Sequence, residues 1–386
     1  TVMKAPNGKR SNLGERQWLH VRLKSFKKWF GDWENWFKKN FLLNGRPVAT
    51  LTGEEFARVE GKSLTDQVEE YFNSIGNKAV SPLYGDVILD RRGADDSLAH
   101  GMGRNKAVAY RAVKDVIENG ILIDYHENHK NRGYDSAVVV APIEIKGERY
   151  FCYVTITRMN GTNRYYLHEV WTQKNLTNVG SNAVQGQPSH LQGTANILQN
   201  ILNASDDVSK VVDENGEPKE VYHGTRRGVF TTFDTDGEGK TVDTGAFFTE
   251  DINNAMSYSK DDYLFGNEDF EEYDEFGSEN GTSGNYAVFL NVRNPNVRDF
   301  DGNGAGFKTY SEAREYVDSA EDREELRIEE DDYTETLDDY IREVRKYSTE
   351  HDGVYAKNIY DGGSYMSINN EWIVFSPNQI KSSTDN

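Results

Sequence analysis

Three short segments toward the C-terminal end combine polar or aromatic side chains with strand-like apolar runs. They are Val221–Thr225 (VYHGT), Gly245–Thr249 (GAFFT) and Asn370–Phe375 (NEWIVF), and Tyr258 follows the second of them. Together they supply a histidine, two aromatic rings that can stack on a flat heterocycle, and a glutamate. A site of this composition can hold a dinucleotide and stabilise positive charge on a sugar.

The first segment ends a predicted strand with the tripeptide His-Gly-Thr. His223 can donate a hydrogen bond to a ribose hydroxyl, Gly224 lets main-chain groups approach a flat amide, and Thr225 adds a hydroxyl. The tripeptide by itself is also typical of an ordinary strand end, where a histidine is usually structural.

The second segment is a predicted strand followed by a helix over residues 252–260, for which Asp251 is the expected N-cap. Helical spacing places Tyr258 on the face directed back toward the strand that carries Phe247. The two rings are then able to sandwich a planar heterocycle, although plain core packing gives the same pattern.

The third segment places Glu371 at the start of an apolar strand. Burying a carboxylate there is costly unless it has a task or a partner, whereas an exposed strand end needs no explanation. Beside a ribose, Glu371 would bond a 2-hydroxyl and stabilise an oxocarbenium-like centre as a leaving base departs.

The ordered trio resembles the His–Tyr–Glu class of ADP-ribosyltransferases, the class of the poly(ADP-ribose) polymerases and diphtheria toxin. Residues 223–225 match the family's His-Gly-Ser/Thr, and residues 245–248 match its Gly-x-Tyr-Phe. Tyr258 matches the second stacking tyrosine, and residues 370–375 match Asn-Glu-Tyr-Ile-Val-Tyr. The stretch 211–386 looks closer still to the transferase domains of phage and mobile-element polyvalent proteins.

The resemblance implies NAD as substrate and assigns a role to each motif residue. Nicotinamide would lie between Phe247 and Tyr258 with its amide on the Gly224 main chain. His223 would anchor the adenosine ribose, and Glu371 the nicotinamide ribose. The implied catalytic residues are Glu371, His223 and Tyr258, and the implied NAD-binding residues are His223, Gly224, Thr225, Phe247 and Tyr258.

Two positions depart from the family pattern. Phe247 keeps the ring of the first tyrosine but not its hydroxyl, and Ala255 stands where the polymerases have a serine that bonds the nicotinamide amide. NAD binding is expected to survive both changes. The rate, and the choice between transfer to a macromolecule and hydrolysis, stay open.

The chain has 386 residues, which suits two domains and an extra arm. We expect an α+β protein in which each domain is a mainly antiparallel twisted sheet with flanking helices, the C-terminal one a split-sheet ADP-ribosyltransferase fold. The expected divisions are a basic amphipathic helical arm (1–49), an α+β domain (50–176), a linker (177–210) and the transferase-like domain with acidic insertions (211–386).

Local patterns predict several elements. Aromatic residues at helical spacing over 14–41 indicate two helices with a bend at Gly31. Ser63 is the expected N-cap of a helix that runs to residue 75, with Gln67 near the capping-box position. Three strands over 136–142, 149–158 and 164–170 are typical of a β-meander, and acidic stretches at 261–283 and 299–350 interrupt the C-terminal domain.

The net charge is −20, although residues 1–49 hold eleven Lys and Arg against three acids. Such an arm can bind nucleic acid or simply pack on its own chain. The single cysteine, Cys152, lies in a buried-strand pattern and favours a core residue over a nucleophile; it excludes a cysteine zinc site, and we expect no metal. With no apolar run that spans a membrane, we expect a cytoplasmic protein, or one delivered into a host or target cell.

The first domain resembles, less specifically, a polyvalent-protein-associated domain grouped with barnase-, EndoU- and RelE-like nucleases. His100, Lys106 and His168 are its candidate nuclease-like site, since metal-free RNA cleavage uses such groups. An inactive recognition module is the competing interpretation. The leading hypothesis is therefore an NAD-dependent ADP-ribosyltransferase, a phage or mobile-element effector or toxin. The alternatives are a ribonuclease or nucleic-acid-binding protein with a degenerate NAD-binding domain, and a non-enzymatic binding protein.

Overall fold

The computed structural model divides the chain into two compact units. It describes residues 3–98, 103–127, 131, 133–159, 162, 164–174, 192–225, 230–235, 245–259, 284–302, 341, 344–346, 350–363 and 366–383. Unit 1 comprises Thr1–Asn12, Asp32–Asp206 and Glu214–Glu217, and unit 2 comprises Leu13–Gly31, Asp207–Asp213 and Pro218–Asn386.

The helices of the described chain are short. In chain order they are α1 (Glu15–His20), α2 (Lys24–Phe30), α3 (Trp33–Asn44), α4 (Leu64–Ser74), α5 (Arg91–Leu98), α6 (Arg104–Ala109), α7 (Val113–Asn119), α8 (Gln192–Leu202) and α9 (Ile252–Ser259). Within this described part, none has the length and hydrophobicity that a bilayer crossing needs.

The strands form two sheets. In chain order they are β1 (Thr50–Leu51), β2 (Lys78–Ser81), β3 (Gly85–Ile88), β4 (Ile121–His126), β5 (Tyr134–Ile145), β6 (Glu148–Met159), β7 (Tyr165–Lys174), β8 (Val221–Thr225), β9 (Ala246–Thr249), β10 (Gly284–Leu290), β11 (Pro295–Asp299), β12 (Gly353–Asp361), β13 (Ser367–Val374) and β14 (Ile380–Ser382). The expected α+β class with two sheets is confirmed.

Unit 1 is built around the sheet β1-β5-β6-β7-β3-β2, with β4 also paired to β5. The run β5-β6-β7 is the expected meander, since both pairs are antiparallel over most of their length. Lys146 and Gly147 have positive φ in the β5–β6 turn, as a tight hairpin with right-handed twist requires. The short pairs β1–β5 and β3–β7 are parallel.

Both faces of this sheet are covered. Val139 and Cys152 lie in the core beneath α4, α6 and α7, whereas Val138 and Phe151 lie in a second core with Leu198 of α8. Neighbouring strand residues thus alternate between two apolar layers, which is why β5 and β6 read as nearly continuous apolar runs. Burial raises the pKa of the Cys152 thiol to about 12, so the interpretation of this residue as core is confirmed.

Helix α4 begins with the predicted cap, although the capping box uses a different partner. The Ser63 Oγ accepts from the Asp66 N–H at 3.1 Å, and the Asp66 carboxylate accepts from the Ser63 N–H at 3.0 Å. Asp66, not Gln67, is therefore the box residue, because a carboxylate one residue earlier on the first turn reaches the exposed N–H.

The cap gives a pH-dependent prediction. The hydrogen bond of the Ser63 side chain, followed by that of Arg91 and that of the Ser63 N–H, lowers the pKa of Asp66 to about 2. The stabilising effect of the ionised Asp66 is therefore present above the unfolded-state value of 3.8 and is lost as the pH falls toward 2. In Ser63→Ala we expect the Asp66 pKa to rise, as measured by NMR titration. Ser74→Ala, on the same helix but bonded to the Tyr71 carbonyl, is the matched control. An unchanged Asp66 pKa in Ser63→Ala would contradict this account.

The arm contains three helices where two were predicted, because the chain also breaks after α1. The bend at Gly31 is confirmed by its φ of +100°, which favours glycine. Within unit 2, Phe26 stacks on Phe30 at 5.2 Å and meets Phe289 of β10 edge-on at 5.5 Å. The aromatic face of α2 is thus used for packing.

Unit 2 contains the sheet β11-β12-β13-β9-β8-β10-β14, antiparallel except for β11–β12. Strands β9 and β13 pair over four residues, but β8 and β9 pair only through Tyr222 and Thr249. All seven described strands follow one continuous order. The split of this sheet into two halves, which the sequence led us to expect, stays a prediction. The predicted strands at β8, β9 and β13 are present, whereas β11, β12 and β14 were missed. The acidic stretch at 261–283 and most of the one at 299–350 lie outside the described residues.

Candidate active site

A cavity of about 290 Å³ lies within unit 2 beside the single β8–β9 pair. Its walls come from β8, β9, α9, the end of β12 and the middle of β13. All three of the sequence segments singled out above contribute to this one cavity. Of the six predicted catalytic and NAD-binding positions, it brings together His223, Gly224, Phe247, Tyr258 and Glu371.

His223 is fixed by a bond to the second segment. Its Nδ1 lies 2.7 Å from the main-chain oxygen of Phe247, and because a carbonyl only accepts, Nδ1 carries the proton. The imidazole lies among aromatic rings, with Phe233 edge-on at 5.2 Å and Phe248 at 5.6 Å. The histidine thus faces the cavity in one defined tautomer.

Gly224 is where α9 approaches β8 most closely. A Cβ at this position would lie 1.7 Å from the main-chain oxygen of Ala255 and 3.3 Å from the Tyr258 Cβ. No side chain fits there, so the glycine of the His-Gly-Thr motif lets the helix that carries Tyr258 pack against the strand.

The two predicted rings line the same cavity from different elements. Phe247 lies on β9, opposite Ile373 of β13, and Tyr258 lies on the last turn of α9. The Asp251 carboxylate accepts from the Asn253 N–H at 2.9 Å, which confirms it as the start of α9. Gly245 precedes β9 with φ +105°, and a Cβ there would lie 2.3 Å from the Val374 oxygen.

Glu371 lies on β13, paired with Thr249 of β9, and is only 3% exposed. In the described part of the chain its Oε2 accepts no hydrogen bond and is cut off from solvent. Burial, and then the neighbouring Asp361 carboxyl, raise the pKa of Glu371 well above its ordinary value. A buried acid with an unused oxygen in a cavity is an arrangement expected of a functional site.

Two further cavity residues were not predicted from the sequence. Asp361 ends β12 and Asn254 lies on α9, one turn before Tyr258. The Asn254 Nδ2 donates to the Asp361 main-chain oxygen at 2.8 Å. Helical spacing from Tyr258 would have indicated Asn254, but nothing in the sequence marks Asp361, since β12 follows an acidic stretch and was itself missed.

Two positions of the family pattern, Thr225 and Ala255, bring no hydroxyl to the cavity wall. Thr225 is buried at the end of β8 and is not part of the cavity wall. Ala255 does line the cavity, at the position where the polymerases have a serine, and it brings no hydroxyl.

Two protein-family models match parts of the chain. Residues 213–386 match the family model described as ADP-ribosyltransferase in polyvalent proteins. This stretch is thus similar to that family, as the three motifs implied. Residues 60–166 match large polyvalent protein-associated domain 3, as the weaker resemblance of the first domain implied. No curated protein and no solved structure matches the chain.

Lys106 and His168, two of the candidate nuclease-like residues in unit 1, contact different partners. Lys106 is buried, with its Nζ 3.8 Å from the Glu169 carboxylate, and burial lowers its pKa. The Nδ1 of His168 is 3.1 Å from Asp96, and both of those side chains are partly exposed. His100 lies outside the described residues, so the three-residue site stays a prediction.

Proposed function

We propose that the ADP-ribosyltransferase domain binds NAD, cleaves its bond between nicotinamide and ribose, and transfers ADP-ribose to a macromolecular acceptor. The observation that supports this most is the unused oxygen of Glu371 in the cavity that Phe247 and Tyr258 also line. A ribose hydroxyl can donate to that oxygen while the nicotinamide ring stacks between the two aromatic rings.

In this proposal, each motif residue acts on one part of NAD. Nicotinamide lies between Phe247 and Tyr258, and its carboxamide bonds the main chain of Gly224. His223 bonds the adenosine ribose, and Glu371 bonds the 2-hydroxyl of the nicotinamide ribose. The close packing of α9 on β8 through Gly224 holds the helix with Tyr258 against the strand with His223.

The chemical step is a dissociative substitution at the ribose carbon. The bond from that carbon to the pyridinium nitrogen breaks, and its electron pair leaves with neutral nicotinamide. The positive charge left on the sugar is stabilised by the Glu371 carboxylate. An acceptor nucleophile then bonds to the same carbon and gives up its proton, which completes the transfer.

The wider role follows the resemblance to phage and mobile-element proteins. We propose an effector or toxin that acts in the cytoplasm of the cell that makes it or of a cell into which it is delivered. The acceptor is a protein or a nucleic acid. Growth arrest on expression, relieved by Glu371→Gln, is the expected sign of such an activity.

Removal of either stacking ring tests the binding mode. In Phe247→Ala and Tyr258→Ala we expect the Kd for NAD to rise by about tenfold each, since one stacked aromatic contact contributes on the order of 1 kcal/mol. Calorimetric titration of the full chain with NAD measures it, and NAD should raise the melting temperature of the wild type.

The matched controls keep the rings. Phe247→Tyr restores the hydroxyl of the family pattern, and Tyr258→Phe removes one, so both should bind NAD within about threefold of the wild type. If both alanine variants bound NAD as tightly as the wild type, the sandwich would be wrong.

A further inference from the structure

Asp361 is a second carboxylate in the cavity, and no family motif accounts for it. It ends β12, the strand next to the one that carries Glu371. Both residues line the cavity, and their side chains are within hydrogen-bond reach of each other. Two carboxyl groups that are joined by a hydrogen bond form one acid–acid pair in place of two independent acids.

The main chain of Asp361 is anchored from two sides. Its oxygen accepts from the Asn254 Nδ2 of α9 at 2.8 Å and from the Asn369 Nδ2 of β13 at 3.3 Å. One carboxylate oxygen, Oδ1, accepts from the Gly362 N–H at 2.8 Å. These bonds orient the acid beside Glu371, and none of them requires it to be charged.

Charge around the pair favours one shared proton. The cavity wall contains no lysine or arginine among its described residues, and its other titratable groups are Tyr222 and His223 on β8 and Tyr258 on α9. Burial and the Asp361 carboxyl both raise the pKa of Glu371. Glu371 is buried and Asp361 is half-buried beside it. Because two adjacent anions in such a cavity repel each other strongly, the pair retains a proton that a lone exposed acid would have lost.

We propose that Asp361 is a positioning residue for the reaction, holding the Glu371 carboxyl through one shared proton and freeing it as an anion when that proton is lost. The proton moves within the pair or leaves to solvent, and no bond of NAD changes in this step. The inference rests on the proposed function, because the anion of Glu371 is what stabilises the charged sugar.

Asp361→Asn removes the shared proton with little change of shape. An asparagine keeps the main-chain bonds, can accept from Gly362 N–H, and can donate to Glu371. The rate of nicotinamide release, followed as kcat/KM from about pH 5 to 9, should rise with pH in the wild type as Glu371 ionises. In Asp361→Asn that rise should occur at lower pH. The ratio of variant to wild-type rate should therefore be at least about threefold larger at the acid end than at the alkaline end.

Asp251→Asn is the matched control. It removes a carboxylate from the same unit outside the cavity wall, and asparagine is an equally good N-cap. Its pH profile should coincide with that of the wild type. A ratio for Asp361→Asn that stays constant across this pH range would overturn the proposal.

A measurement on the wild type separates this inference from the proposed function and does not depend on how the variant folds. Carbon NMR of carboxyl-labelled protein should show Asp361 and Glu371 responding to the same two proton-binding steps. If these resonances titrate independently, the shared proton is absent, whatever the enzyme does. If they titrate together but the wild type releases no nicotinamide, the pair stands and the proposed function fails.

Discussion

Glu371→Gln is expected to lower the rate of nicotinamide release from NAD by about a thousandfold, the size of effect seen when one preorganised electrostatic partner of a transition state is removed. The amide has the shape of the acid and can still bond a ribose hydroxyl. It carries no negative charge to stabilise the sugar as nicotinamide leaves. The measurement is chromatographic quantification of nicotinamide at saturating NAD.

The fold should survive this substitution. The raised pKa of Glu371 means that the folded state binds its proton more tightly than the unfolded state does, so its burial disfavours folding increasingly as the pH rises above the unfolded-state value. Glutamine does not ionise, and Glu371→Gln should be at least as stable as the wild type at neutral pH. Equal release of nicotinamide by the two proteins would show that Glu371 is not the catalytic carboxylate.

Gly224→Ala is expected to lower the free energy of unfolding of unit 2 by about 3 kcal/mol and to abolish measurable NAD binding. The new Cβ would lie 1.7 Å from the Ala255 main-chain oxygen, so α9 must move away from β8. Because that helix carries Tyr258, the ring would leave the position in which it stacks. Denaturant titration and calorimetry measure the two effects.

Gly14→Ala is a matched glycine substitution in the same unit. Its Cβ would meet only the Gln17 Oε1, at an ordinary contact distance of 3.4 Å, although Gly14 is the N-cap of α1. We expect a loss below about 1 kcal/mol and unchanged NAD binding. Gly224→Ala with wild-type stability and affinity would mean that α9 does not approach β8 as closely as described.

The three motifs were readable from the sequence because each combines a local pattern with one chemical group. Strand-like apolar runs identified β8, β9 and β13, and the N-cap at Asp251 identified α9. The spacing of Phe247 and Tyr258 then indicated that both rings could contact one planar ligand, although core packing gives the same pattern, and the structure places both in one cavity. Glycine is required at 224 and 245 because a Cβ there would overlap a main-chain oxygen, and only the structure shows this.

Asp361 was out of reach of sequence reasoning for a physical reason. Its strand, β12, pairs with β11 across a long sequence separation, and a register shift between Ala356 and Ile359 breaks its alternation against β13. An aspartate before two glycines is typical of a turn, not of a residue that pairs with a buried acid. Only the tertiary arrangement of β12 beside β13 brings this residue to Glu371.

In unit 1, too, contacts between residues far apart in sequence could not be predicted. The long hairpins of the meander were predicted closely, whereas β2 and β4 were not. The buried Lys106 was singled out as a reactive group, and its partner Glu169 was missed, because the two residues lie 63 positions apart and meet only where α6 packs on β7.

The most direct test of the central claim is transfer of label from NAD. The full chain is incubated with bacterial lysate and NAD labelled on the adenylate phosphate, and the macromolecular fraction is treated with protease or nuclease. The wild type should place label on macromolecules and release nicotinamide, one of the two treatments should remove that label, and Glu371→Gln should do neither transfer nor release. Label that stays in intact NAD, or that appears only in free ADP-ribose, would contradict the proposed transferase.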